Sequence, residues 1–250
     1  MDESVPAPVS DQPAGSEAGS SWPASGEAEG AATGVRDQVR RAGAPDAGPG
    51  GGSLLTEPVL VVNQKVKLIE LTNEYQVFDQ QGNVLGSVAQ VGQSALKKAA
   101  RLLTSLDQFM THTLEIRDAA GEPVLRLTRP RKIFKSSFVV DRADGTQVGT
   151  IRQKNVFGKI RFGFESGGRE IGSLHAENWR AWDFHVKDAG DREVARITKT
   201  WEGLAKTIFT TADNYVVAFQ ERLEDPLLSM VVASALCIDT ALKQDNRGFN

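Results

Sequence analysis

The stretch Asp225–Gln244, DPLLSMVVASALCIDTALKQ, restricts the fold more than any other part of the chain. Asp225 suits a helix N-cap, because its carboxylate can accept from the unbonded N–H groups of a first turn. Pro226 suits the first helical position, where no N–H is needed. A helix over 226–242 is therefore predicted. Its apolar residues, with Leu228, Val231, Val232, Ala235 and Leu236 at the centre, cover every face, so the helix must be buried in protein or in lipid. Length chooses between the two. The run between Asp225 and Asp239 gives about 20 Å of helix against a bilayer core of about 30 Å, and Asp239 would lie in hydrocarbon. A sheet closed around the helix satisfies both the length and the all-round apolarity.

The rest of the chain supplies such a sheet. From Val59 onward, short β-branched and aromatic runs alternate with Asp/Gly/Asn turns. VFDQQGNVLGSV, EIRDAAGEPVLRL, VVDRADGTQVGTI and FESGGREIGSL align on Gly82, Gly121, Gly145 and Gly168, and a looser copy, VKDAGDREVARI, aligns on Gly190. These read as successive hairpins. Six residues after each of the first four glycines stands Val88, Leu127, Ile151 or Leu174. Five after stands Ser87, Arg126, Thr150 or Ser173, so one face is core and the other solvent. The fourth residue is Gly86, Leu125, Gly149 or Gly172. Glycine recurring on the core face reads either as a bulge after each turn or as room for a helix inside the sheet.

Two segments depart from this pattern. SALKKAARLLTSLDQFM, Ser94–Met110, has Leu96, Ala99, Ala100, Leu103 and Leu106 at helical spacing and reads as a cationic amphipathic helix, packed on its own barrel or lying on a membrane surface. Residues 1–53 are rich in Ala, Gly, Pro and Ser and carry three Arg against eight acids. With so little apolar surface they read as a disordered tether, dispensable for folding and available to a protein partner. The net charge is −3, and the near-neutral remainder excludes a dedicated nucleic-acid binder, which would show a basic face. Cys237 is the single cysteine, so an intrachain disulfide and a Cys-based zinc site are excluded. MDESVPAP lacks the basic and apolar regions of a secretory signal, and Asp2 stands where myristoylation needs glycine. A cytoplasmic protein is expected.

ITKTWEGLAKTIFTTADNYVVAF, Ile197–Phe219, followed by a short loop and the apolar helix, resembles the C-terminal block of phospholipid scramblases. TLEIRDAAGEPVLRLTRP, Thr113–Pro130, resembles that family's hairpin ending in Arg-Pro. The resemblance covers 56–243 and implies a mainly β fold: an antiparallel closed barrel of about twelve strands enclosing the hydrophobic C-terminal helix, the tubby C-terminal-like architecture shared with LURP-one-related proteins. The expected organisation is thus a tail over 1–53 and a barrel domain over 54–245. The family is assigned calcium-dependent, energy-independent movement of phospholipid between leaflets.

The resemblance also implies a calcium segment, whose positions here are Thr211, Asp213, Tyr215, Val217, Phe219 and Arg222. Calcium takes six to eight oxygens, several of them carboxylates. Only Asp213 supplies one, Arg222 brings a positive charge, and Tyr215, Val217 and Phe219 alternate as one face of a strand. No metal or other cofactor is expected. The family's Cys-rich acylation run is matched by RPRKIFKSSF, which has no cysteine. Arg129, Arg131, Lys132 and Lys135 in that region are the candidate lipid-headgroup contacts, because clustered cations are drawn to an anionic membrane surface. A solvated turn explains them equally well. Phe134, Phe138, Trp179 and Trp182 read as barrel core or barrel ends, with a membrane interface as the alternative. His112, His175 and His185 match no zinc spacing, and no nucleophile elbow, P-loop or HExxH is present. No catalytic residue is expected. Two functions follow: a scramblase-like peripheral protein, at the inner face of the plasma membrane, that promotes or is linked to transbilayer phospholipid movement; or a non-enzymatic module binding phosphoinositide-like headgroups or a protein.

Overall fold

The computed structural model describes residues 25–44, 50–64, 73–91, 112–130, 137–155, 159–176, 183–199 and 214–236. Helix α1 is Ser25–Ala42. Twelve strands follow: β1 Val59–Gln64, β2 Asn73–Phe78, β3 Val84–Val91, β4 His112–Asp118, β5 Pro123–Arg129, β6 Ser137–Arg142, β7 Gln147–Gln153, β8 Ile160–Ser166, β9 Arg169–Ala176, β10 Asp183–Asp188, β11 Glu193–Lys199 and β12 Asn214–Phe219. Each pairs antiparallel with its neighbours in sequence, and β12 closes on β1 through Val59–Asn63 opposite Asn214–Ala218. Helix α2, described over 227–236, lies inside this barrel. The expected closed barrel around a C-terminal helix is the observed fold. The predicted helix of Ser94–Met110 lies outside the described residues, as do Cys237 and residues 238–242.

The turns explain how so regular a meander forms. At Asp79–Asn83, Asp118–Glu122, Arg142–Thr146 and Asp188–Arg192 the first residue donates to the carbonyl of the fifth and accepts from the fourth, at 2.9–3.2 Å. The fourth residue is left-handed: φ is 91° at Gly82, 87° at Gly121, 86° at Gly145 and 64° at Asp191. This is a type I turn closed by a residue in the left-handed region, which introduces a bulge. The register accordingly shifts beside each of these turns. In three of them the leading Asp side chain also accepts two backbone N–H groups, from Ala120 and Glu122 in the case of Asp118 (both 2.9 Å). The fifth copy is corrected here: its left-handed position is Asp191, not Gly190, since Asp tolerates that conformation. The Gly168 copy is a different turn, Gly167-Gly168, with Ser166 opposite Arg169 and φ of 56° and 75°. That is the two-residue type favoured in tight hairpins.

Both readings of the recurrent glycine hold. A Cβ on Gly149 would meet the Glu165 carbonyl and lie 3.1 Å from Met230 Sδ. One on Gly172 would lie 2.7 Å from the Lys187 carbonyl and 2.9 Å from Leu227 Cδ1. Close backbone approach beside the bulges and room for α2 therefore demand the same residue. The interior positions Val88, Leu127, Ile151 and Leu174 are buried, as their spacing predicts, and meet Met230, Val231, Val232, Ala233, Ala235 and Leu236 of α2 in one core. Leu228 is only partly buried, at the mouth. The two buried serines of α2 are satisfied locally, Ser234 Oγ by the Val231 carbonyl (2.8 Å) and Ser229 Oγ by Asp225 (2.6 Å).

Asp225 anchors the start of α2. Its Oδ1 accepts from the Ser229 N–H (3.1 Å), and its Oδ2 lies 2.8 Å from Arg142 Nη2 at the end of β6. Burial works to raise its pKa, but the hydrogen bonds from Ser229 and Arg142 outweigh it and hold the carboxyl below its ordinary value. A group with a depressed folded pKa stabilises the fold above its unfolded pKa and loses that contribution as pH falls through the folded value. Asp225→Asn is therefore expected to lower the thermal midpoint at neutral pH. The gap to wild type should close in acid, below the ordinary aspartate range, and a gap independent of pH would show that the charge is not what matters.

The expectation of a disordered tail through 53 is corrected over 25–44. Val35 and Val39 of α1 are buried against Val59, Val61, Phe78 and Val216, on the outer face of β1, β2 and β12. The helix ends in a Schellman motif: Gly43 (φ 65°) donates to the Arg40 carbonyl (3.2 Å) and Ala44 to that of Val39 (3.3 Å). Local composition is too polar to hold this helix alone. The apolar outer surface of the barrel supplies the partner. Residues 50–58 then lead into β1, and Leu54, 2% exposed, enters the barrel core beside Gly86. Deleting residues 1–44 should uncover Val59, Val61 and Val216, lower the thermal midpoint by several degrees and increase dye binding to apolar surface. Full retention of stability would mean that α1 contributes nothing.

Candidate functional site

Because every connection reverses the chain, the two ends of the barrel are different. One carries the five tight turns and the entry to α2. The other is where β1, β3, β5, β7, β9 and β11 end, and where β2, β4, β6, β8, β10 and β12 begin. The candidate residues fall at both ends and in the core.

The calcium-segment positions lie along and beyond β12. Tyr215, Val217 and Phe219 project inward and belong to the main core, exposed 0%, 0% and 7%. The Tyr215 ring packs edge-on against Tyr75, with centroids 6.5 Å apart. The intervening Val216 faces α1. Arg222 is exposed in the turn-end stretch leading to α2, and Thr211 and Asp213 lie outside the described residues. The four described positions thus fall in two different surroundings, the barrel interior and solvent. A cation could use the Tyr215–Phe219 stretch only by displacing core side chains. Among the described residues no group of three or more His, Cys, Asp or Glu side chains is arranged to hold a metal.

The candidate headgroup residues divide as well. Arg129 is buried, 3% exposed, which corrects its reading as a surface contact. The reason is parity: Leu125, Leu127 and Arg129 share the inward face of β5. Its guanidinium lies over the Phe138 ring, 5.8 Å from the centroid, so a cation–π contact accommodates its charge at the barrel's end. Arg131, Lys132 and Lys135 lie outside the described residues, with Phe134, Trp179 and Trp182. The up-and-down order adds residues that motif reading overlooked. Lys154, Lys159, Arg161 and Lys199 stand at the same end of the barrel as Arg129. Strand alternation alone could have found them, by counting which connections share an end.

Other polar side chains described on the barrel wall pair with one another. Glu115, bonded across the strands to Arg126 (2.8 Å) and along its own strand to Arg117 (2.7 Å), has its pKa lowered chiefly by the Arg126 hydrogen bond, against an opposing effect of burial. His175 bonds Ser173 Oγ (2.8 Å), and burial is the main cause of its lowered pKa. His185, its cross-strand neighbour, lies 2.7 Å from Glu193. His112 pairs with Arg129 at the start of β4. No nucleophile and base are brought together by these contacts.

The scramblase family model matches residues 44–242, which takes in the barrel and α2. The chain belongs to the scramblase family. It is 28% identical over 185 residues to a phospholipid scramblase family protein of Schizosaccharomyces pombe, covering 66% of this chain and 47% of that protein. It is 24% identical over 201 residues to altered inheritance rate of mitochondria protein 25 of Saccharomyces cerevisiae, covering 68% and 61%. Bovine phospholipid scramblase 2 is 24% identical over 225 residues, covering 80% of this chain and 73% of the bovine one. The chain spans about half to three fifths of the length of the two yeast relatives. No solved structure matches it.

For this member, millimolar calcium should leave the thermal midpoint unchanged, since a ligand specific to the native state must raise it. A rise of several degrees, abolished by Asp213→Ala, would restore the calcium segment.

Proposed function

We propose that this protein is a scramblase-type peripheral membrane protein, acting from the cytoplasm at the anionic inner face of the plasma membrane and promoting passive phospholipid movement between leaflets. The observation that carries the proposal is the family match across the whole barrel, including α2. The activity requires no chemical step. No described helix is long and apolar enough to cross a membrane, so the proposal places the barrel on the bilayer surface at rest.

A second reading is favoured by the burial of α2. Six of its apolar residues are 0–1% exposed, and a helix held in this way offers lipid no path. On that reading the protein binds anionic headgroups, or a protein partner through residues 1–24, without moving lipid. Reconstitution into vesicles labelled in one leaflet separates the readings. Scrambling is expected to equilibrate the label in the presence of the protein, with or without calcium. Binding that leaves the label asymmetric would replace the scramblase reading with the headgroup-binding one.

A further inference from the structure

We infer that the barrel meets an anionic bilayer end-on, through the end opposite its tight turns, with the turn end directed away. The inference rests on the membrane reading above and adds an orientation to it.

The two ends carry opposite charge. The five turns and residues 220–226 hold nine carboxylates against four arginines. At the other end stand Lys159, Arg161 and Lys199, with Arg129 buried over Phe138 and Lys154 paired with Glu170 (2.7 Å); the acids there are Glu74 at the start of β2 and Asp183, which is held by Arg196 at 2.6 and 2.7 Å.

Folding accounts for part of the acidic end: Asp79, Asp118 and Asp188 are needed by their turns, and Asp225 by the start of α2. Cations near an anionic surface are attracted within a Debye length, about 8 Å at physiological salt, so those on one end of the barrel act together while those across it are screened. The acidic end would be repelled by the same surface.

The test uses the full chain and vesicles of phosphatidylcholine with or without phosphatidylserine. Lys159→Gln/Arg161→Gln/Lys199→Gln removes three charges from the proposed face; Arg169→Gln/Arg192→Gln/Arg222→Gln removes three from the turn end. With each interfacial cation worth roughly fivefold in affinity, the first triple should weaken binding to phosphatidylserine vesicles by about a hundredfold, and the second much less. Circular dichroism confirms that both fold. A fluorophore on Lys159→Cys, in a Cys237→Ser background, should be shielded from iodide on vesicle binding, whereas one on Ala120→Cys should stay accessible. Equal weakening by the two triples, or shielding at position 120, overturns the orientation while the membrane reading stands. Failure of wild type to bind either vesicle overturns the membrane reading and the orientation with it.

Discussion

The fit between one short apolar helix and the sheet closed around it is the constraint on which this structure depends. An α-helix with side chains is about 10–12 Å across. A barrel must have an interior wide enough to take it, and the interior grows with the number of strands. Twelve strands leave a bore too wide for their own side chains to fill, so α2 is a structural component of the barrel rather than an appendage. The small residues Ala233, Ala235, Ser229 and Ser234 on the helix and Gly149 and Gly172 on the wall let backbones approach, while Phe162, Phe164 and Phe184 fill the remaining space. Tyr215, Val217 and Phe219 are drawn into the same core, so these three calcium-segment positions serve packing.

What the sequence revealed depended on whether the decisive interaction was local. The hairpins were legible because Asp and Gly at fixed offsets dictate the turn, and the inward face because alternation is a property of the strand itself. The fate of α2 was legible from its length and all-round apolarity. Arg129 was misread because a cation was assigned to solvent on its chemistry, although its parity with Leu125 and Leu127 already pointed inward. The fifth hairpin was aligned on Gly190 because glycine marks the other turns, whereas the equivalent position is Asp191.

The docking of α1 belongs to the class that local reading misses. Nothing within Ser25–Ala42 compels a helix, and its polar composition argues against one. The signal lay elsewhere, in β1 and β12. VLVV and YVVAF are apolar at consecutive positions, and a strand that is apolar on both faces must be covered on both. In this barrel α2 and the wall cover one face, and Val35 and Val39 cover the other. The cue for ordering the tail was thus written in strands downstream of the helix it orders, β1 and β12.

The burial of α2 also sets the terms of any lipid movement. Removing six fully buried apolar side chains to water would cost on the order of 10 kcal/mol, comparable with the whole stability of a typical domain. Spontaneous release into solvent is therefore disfavoured, but transfer from the barrel core into hydrocarbon exchanges one apolar environment for another. The remaining costs are the emptied bore and the separation of Asp225 from Arg142. Both fall at or below the acidic end, where α2 enters. If the basic end faces the membrane, the helix points into the bilayer C-terminus first, and its anchored N-terminus stays farthest from lipid. Release along that axis needs no rotation of the barrel, whereas release through the turn end would draw the apolar helix into water past a ring of carboxylates. The charge asymmetry of the barrel and the direction of its central helix thus favour the same route between core and bilayer.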